Sequence, residues 1–253
     1  MKVEEISPYG DKEEKGMQVE EMFDSIAPAY DFMNTAMTLG LHRNWRNKAL
    51  KEALSSLKIG DDQQPMKILD VATGTGDVTF KLHSYLSEAL ITGIDISEGM
   101  LEIARKKLSH LPEKERELIA FGKADCLSLP FHDSEFSLIT VAYGVRNFSR
   151  LRKGLEEMRR VLAPGGVLCI IELSCPQGKV TSPLYRLYSR RIIPMIGRFV
   201  SGDRRAYSYL PESIAACPQR EEMAGLLRAA GFASVKWKDL TFGAVTYYIA
   251  KNL

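Results

Sequence analysis

The sequence predicts an α/β chain. Its sheet is doubly wound and mostly parallel, ends in an antiparallel C-terminal hairpin, follows N-terminal helices and is interrupted by one helical insertion. Three observations predict this. From Met66 onward, short apolar runs alternate with amphipathic helical stretches, the order that builds a parallel sheet. Those runs are almost continuously apolar, as in strands covered on both faces. The 253 residues, 45% hydrophobic and 26% charged, suffice for one domain with a substantial core.

Residues 1–18 are charged and polar and predict a loosely ordered arm. Residues 19–253 are expected to form a single domain, with 19–60 as a helical cap and 176–218 as a lid-like insertion. "VEEMFDSIA" is helical and stops at Ala27-Pro28. "RNWRNKALKEALSSL" sets Trp45, Ala49, Leu50, Ala53, Leu54 and Leu57 on one helical stripe. "KILDVA" is the first strand, and a helix follows from about Asp77. "LITGIDI" is the second strand. Ser97 can cap the next helix, which carries Met100, Leu101, Ala104 and Leu108 on one face. "ELIAFGKAD" and "FSLITVAY" supply two more strands. Ser149 can cap "RLRKGLEEMRRVL", which Pro164 and the following glycines stop. "VLCIIEL" is the fifth strand. Ser182, with Pro183 behind it, can open a helix in the insertion, and Pro194 can end it. "QREEMAGLLRAAGF" ends at Gly231. "SVKWKDL" and "GAVTYYIAKN" form the closing hairpin.

The bulk properties exclude several classes. A net charge of +2 gives no general attraction to nucleic acid. The four cysteines form no CxxC pair, so reduced thiols are expected. No apolar run approaches the ~20 residues needed to span a bilayer. The N-terminus shows neither a signal-peptide core nor an arginine-rich, acid-poor leader, so a cytoplasmic location is expected. No His, Cys or carboxylate cluster has metal-ligand spacing, and no metal is expected.

The chemistry begins at "ILDVATGTGDV". Gly74, Thr75 and Gly76 form a turn that lets a ligand approach the backbone closely. A lone G-x-G is a weak signal. Asp95, at the end of the second strand and 19 residues past Gly76, strengthens it, because a carboxylate there can accept from a ribose diol. Position 79, where a dinucleotide-binding turn has its third glycine, is Thr79. Asp77 stands at the helix start, where it would repel a pyrophosphate and suit a cation; an ordinary helix cap is the plainer reading. A nucleoside with a ribose, no phosphate and a positive sulfur fits this set, which points to S-adenosylmethionine. After the third strand, Asp125 can accept from an adenine amino group, the Cys126 N–H can donate to the ring, and Leu127, Leu129 and Phe131 can wall the base.

Four segments in order then resemble the UbiE/MenG quinone-ring C-methyltransferases, a class I, Rossmann-like methyltransferase family. They are "YDFMNTAMTLGLHRNW" from Tyr30, "AYGVRNF" from Ala142, "RVLAPGGVLCIIELS" from Arg160 and "RAYSYLPESI" from Arg205. Thr38 stands where the family usually has Ser, Tyr143 where it has Phe, Ala142 where many members have a cofactor-contacting Ser, and Ala163 where it has Lys. The resemblance implies methyl transfer from S-adenosylmethionine to a ring carbon of a polyprenylated hydroquinone. It implies that Asp77, Arg146 and Asn147 hold a water that acts as base, with Arg146 stabilising the phenolate. Tyr30 and Tyr143 are expected to line the substrate pocket. The competing role for Arg146 is a structural ion pair with Asp77. His42 is a second candidate base, but a helix-start histidine packed near Trp45 is an equal reading, so His42 stays outside the catalytic set.

Demethylmenaquinol is the favoured acceptor, with the benzoquinol of the ubiquinone pathway as the alternative. An O- or N-methyltransferase, an RNA methyltransferase and a non-catalytic cofactor-binding subunit are the rivals from other classes. Monomer and homodimer both stay open. Residues 182–205 hold six arginines against Asp203. They are expected to form a lid that docks peripherally on the inner face of the plasma membrane.

Overall fold

A computed structural model describes residues 3–10, 13–57, 65–188 and 204–252. Seven strands form one sheet in the order β3-β2-β1-β4-β5-β7-β6. They are β1 (Lys67–Val71), β2 (Leu90–Asp95), β3 (Ile119–Lys123), β4 (Phe136–Ala142), β5 (Leu162–Leu173), β6 (Ser234–Leu240) and β7 (Val245–Lys251). β1 to β5 pair in parallel, and β7 runs antiparallel between β5 and β6, so the predicted hairpin closes the sheet. The chain winds outward in opposite directions from β1 and β4. This leaves a crevice at their carboxyl ends, where ligands of such sheets bind.

Strand alternation builds two cores. Leu69, Ile139, Leu168 and Ile170 face α7 (Leu151–Val161) and α10 (Glu221–Ala229). Their neighbours Ile68, Leu138, Val167 and Cys169 face α3 (Leu41–Ser56) and α4 (Asp77–Tyr85). Both faces are covered, hence the continuous apolar runs in the sequence. The edge strand β6 keeps Lys236 and Lys238 exposed, which discourages pairing with another chain. A third cluster joins α1 (Lys15–Ile26) and α2 (Tyr30–Thr38) to Met100 of α5 (Glu98–Leu108) and Tyr209 of α9 (Arg204–Ala216). Asp24 of α1 accepts from Ser97 Oγ and from the Gly99 N–H (2.9 Å), and so clamps α1 onto the start of α5. Two short helices, α6 (Glu113–Arg116) and α8 (Thr181–Leu187), complete the α-helices among the described residues.

Three capping expectations and one ordering expectation meet the structure differently. Ser97 caps α5 as predicted, accepting from the Met100 N–H. Ser149 does not cap α7. Arg150 is the N-cap, and the Leu151 N–H donates instead to Glu4 Oε1 at 2.8 Å. The described part of the arm, residues 3–10 and 13–18, packs against the domain. Val3 and Ile6 are buried, and Lys15 Nζ donates to the carbonyls of Val3 (2.6 Å) and Arg146 (3.2 Å). Local polarity misleads here, because two apolar side chains and a remote cap supply the anchoring. Nor does Ser182 open a helix: α8 begins at Thr181 with Val180 as its N-cap. Residues 189–203, which include Pro194 and three of the six predicted docking arginines (Arg190, Arg191 and Arg198), lie outside the described residues.

Glu4→Ala is expected to cost about 1 kcal/mol, the usual worth of a helix cap, and to lower Tm by roughly 2–4 °C. Ser149→Ala should leave Tm unchanged. Thermal melts giving the reverse order would overturn the remote cap.

Candidate active site

Two cavities meet at the carboxyl ends of the central strands. The first is lined by Gly74 after β1, Asp95 and Ile96 at the end of β2, Asp125 and Cys126 after β3, and Tyr143 and Asn147 after β4. Gly16, Val19 and Phe23 of α1 close it from the N-terminal side. The second, about 560 Å³, lies among α2, the start of α3, α8 and α9, and it includes His42, Tyr143, Arg146, Tyr185, Tyr188 and Tyr209. Phe23, Tyr30 and Tyr143 line both, so they form the partition between the two.

The glycine turn splits its work. Gly74 (φ +57°) has only Tyr30 Cε1 near its would-be Cβ, at 3.9 Å, so its surface is open to a ligand. Gly76 (φ +84°) lines neither cavity. A Cβ there would fall 2.8 Å from Phe80 and 2.9 Å from Phe121, so this glycine serves packing. Thr75 is also turned away, with its hydroxyl donating to Asp31 Oδ1 at 2.6 Å. Asp70, inside β1, holds the turn from below: the Thr73, Thr79 and Thr140 hydroxyls donate to its carboxylate at 2.7, 2.9 and 2.7 Å.

Asp95 is the most informative residue of the first cavity. Its Oδ2 accepts from the Gly74 N–H (2.8 Å) and its Oδ1 from the Ser97 N–H (2.9 Å). Burial pushes the carboxyl up to about 6, although those N–H donors pull the other way. Each oxygen keeps a lone pair for a further donor, as a ribose diol needs. Asp125 Oδ1 accepts from the Leu127 N–H at 2.9 Å. Burial raises Cys126, keeping it a neutral thiol. Met100, Leu127 and Phe148 supply apolar walls. A buried carboxylate for a diol, an open glycine and apolar walls for a base fit an adenosyl group.

The expected catalytic trio is not gathered in one place. Arg146 and Asn147 share a short turn after β4, and they line the second and the first cavity respectively. Asp77 lines neither cavity. Its carboxylate is bound by Arg46 (2.9 Å) and Lys107 (3.0 Å). Burial raises its pKa, but those two cations outweigh burial and hold it below the ordinary range. Arg146 does pair with a carboxylate, but with Glu172 (2.8 Å) rather than Asp77. Its Nη1 also donates to the Tyr143 carbonyl, and Tyr209 donates to Asn147 Oδ1 at 3.1 Å. The sequence reading missed Glu172 and Asp70. The available signal was an acidic residue inside an otherwise apolar strand, which at such a position needs a dedicated partner.

Two buried donors in the second cavity's wall have no acceptor among the described residues: Arg146 Nε and the Tyr143 hydroxyl. Burial pushes the Tyr143 and Tyr30 phenols up, so both stay protonated. Tyr143 also adopts φ +59°, a left-handed conformation costly for a bulky side chain.

The ubiE/COQ5 methyltransferase family matches residues 10–252. The demethylmenaquinone methyltransferase of Bacteroides fragilis is 45% identical over 98% of this chain and 97% of its own length. That of Deinococcus radiodurans is 41% identical over 98% of each. The ubiquinone/menaquinone biosynthesis C-methyltransferase UbiE of Geobacter sulfurreducens is 39% identical over 94% of this chain and 90% of its own. Among solved structures, a possible histamine N-methyltransferase from Thermotoga maritima superposes with a TM-score of 0.61 at 18% identity, covering 92% of this chain and 99% of its own. The phosphoethanolamine N-methyltransferase 2 of Haemonchus contortus, solved with S-adenosyl-L-methionine, gives 0.58 at 13% identity over 81% and 52%. These two share the fold. Near full-length agreement with the curated relatives and an adenosyl-fitting crevice converge: the chain is an S-adenosylmethionine-dependent methyltransferase and belongs to the ubiE/COQ5 methyltransferase family.

Proposed function

We propose that this enzyme methylates a ring carbon of a polyprenylated quinol, with demethylmenaquinol as the acceptor and menaquinol as the product. The observation that carries this reading is the pair of unpartnered donors, Arg146 Nε and Tyr143 OH, in a largely apolar cavity next to the cofactor crevice. Such a wall suits a greasy ring with an oxygen to be held. The naphthoquinol is preferred to the benzoquinol because the relatives at 41–45% identity are named for demethylmenaquinone.

S-adenosylmethionine supplies an electrophilic methyl group on a sulfonium. The remaining work falls to the chain. Arg146, oriented by Glu172 and the Tyr143 carbonyl, donates to the ring oxygen and stabilises charge that develops there. That charge, delocalised into the ring, makes the neighbouring carbon nucleophilic. Tyr143 donates to the same oxygen, and Phe23 and Tyr30 align the ring with the first cavity. Asn147 positions cofactor and turn together. Asp77, bound by Arg46 and Lys107, fixes α3 and α5 against the glycine turn.

The described parts of the insertion, residues 176–188 and 204–218, act in this reading as the lid of the second cavity within one domain, since Tyr185, Tyr188 and Tyr209 line it. No helix among the described residues is long and apolar enough to cross a membrane. A peripheral contact suits a lipid-borne acceptor. Leu39 (88% exposed) and Leu41 line the second cavity, and Phe242 (83% exposed) follows Thr241 in its wall. The test is turnover of purified protein on demethylmenaquinol and on the benzoquinol, with the product's methyl located by NMR. A methyl on oxygen, or preference for the benzoquinol, would overturn the reading. Replacing Leu39 and Phe242 with Ser should slow a long-tailed quinol in liposomes severalfold and leave a short-tailed analogue unaffected.

A further inference from the structure

The second cavity contains an imidazole whose protonation can be worked out from its neighbours. The Thr38 hydroxyl donates its only hydrogen to the Asn34 carbonyl, 2.6 Å away and one helical turn back. Thr38 Oγ1 also lies 2.7 Å from His42 Nδ1. With its hydrogen spent, that oxygen can only accept. The proton of neutral His42 therefore sits on Nδ1, and Nε2 keeps its lone pair.

The surroundings keep the ring neutral. Burial lowers its pKa, and Arg46 and Arg43 on its own helix act in the same direction. Asp77 from α4 and Asp31 from α2 oppose them without prevailing. Among the described residues nothing donates to Nε2. His42 is buried and lines the same cavity as Arg146 and Tyr143. It is a tautomer-fixed, uncharged base in the wall of an apolar cavity, and packing against Trp45 does not require that fixing.

We propose that His42 is the catalytic base that takes the phenolic proton of the quinol. The assignment rests on the proposed function above. The quinol O–H bond breaks and its proton moves to His42 Nε2. The oxygen's electron pair enters the ring, whose carbon forms a bond to the methyl group as the methyl–sulfur bond breaks and leaves its pair on sulfur. The ring is then a dienone with hydrogen and methyl on one carbon. Water removes that hydrogen as a proton, the C–H pair restores the aromatic ring, and the imidazolium returns its proton to the oxygen. The net change is one ring hydrogen replaced by methyl, one proton released to water and one neutral thioether formed. Asp77 is less suited to this task, because two cations already occupy its carboxylate.

The test compares wild type, His42→Gln and Thr38→Val with S-adenosylmethionine and a short-tailed demethylmenaquinol. In His42→Gln, kcat should fall about 100-fold, the usual worth of a general base, while cofactor affinity holds. In the wild type, kcat should decline as pH falls through the histidine range, since a protonated ring cannot accept. The glutamine variant should lack that acid limb. Thr38→Val retains the imidazole but releases its tautomer, and kcat should fall severalfold with KM unchanged. Imidazole added to His42→Ala should restore part of the rate. A glutamine variant within threefold of wild type, or one that retains the acid limb, overturns the assignment. A wild type that methylates another acceptor but not this quinol overturns the proposed substrate instead, and the base role with it.

Discussion

Glu172→Ala is expected to remove about 3–5 kcal/mol of stability, the cost of stranding one partner of a buried ion pair. Arg146 and Glu172 are each less than a tenth exposed, so water cannot replace the lost carboxylate. Glu172 also accepts from the backbone N–H groups of Arg146 (3.3 Å) and Leu173 (2.8 Å), which ties the turn after β4 to the end of β5. Glu172→Gln retains an acceptor and should lose less. Urea denaturation at unchanged slope measures both. Arg146→Lys keeps the charge but not the planar fork. Its turnover should drop tenfold or more, ~1.4 kcal/mol in the barrier, with cofactor affinity unchanged. A Glu172→Ala protein as stable as wild type would show that the pair carries no structural weight. A fully active Arg146→Lys would remove Arg146 from the chemistry.

Asp95→Ala should weaken S-adenosylmethionine binding at least tenfold, because each hydrogen bond to a charged acceptor is worth ~1.5–3 kcal/mol. The structure adds a second cost, since the Gly74 and Ser97 N–H groups lose their acceptor and the turn loosens. The pH dependence separates the two effects. The diol needs the ionised carboxylate, and the folded pKa is about 6. Affinity should therefore fall as pH drops below that value, by roughly tenfold from pH 7 to pH 5. Stability runs the opposite way. The folded pKa lies above the ordinary 3.8, so this group's contribution is fully present below about 4 and is lost as pH rises through 6. Asp95→Asn should thus gain stability relative to wild type above pH 6 while binding cofactor poorly. Calorimetry showing pH-independent wild-type affinity across this range would remove Asp95 from the ribose.

The elements with a regular period were legible because their signals are local. α3 carries its stripe of Trp45, Ala49, Leu50 and Ala53 where the spacing puts it, and all four are buried. Asp95 and the Gly74 turn were legible for the same reason, since a strand-to-helix turn and a strand end define themselves within a few residues. The remote cap of α7 was not, because Glu4 acts across 147 positions.

The sequence by itself determined the sheet's alternation, the closing hairpin, the crevice residues Gly74, Asp95 and Asp125, and the family. Only the tertiary structure decided which charges meet. The β4–β5 register sets Ala142 opposite Ile171, which brings Glu172 beside the turn that begins at Tyr143, so Arg146 finds Glu172. The docking of α3 and α5 on the glycine turn gives Asp77 to Arg46 and Lys107. Two carboxylates look alike along the chain. The partner each one gains depends on desolvation and on distances of about 3 Å, which the packing of remote elements sets.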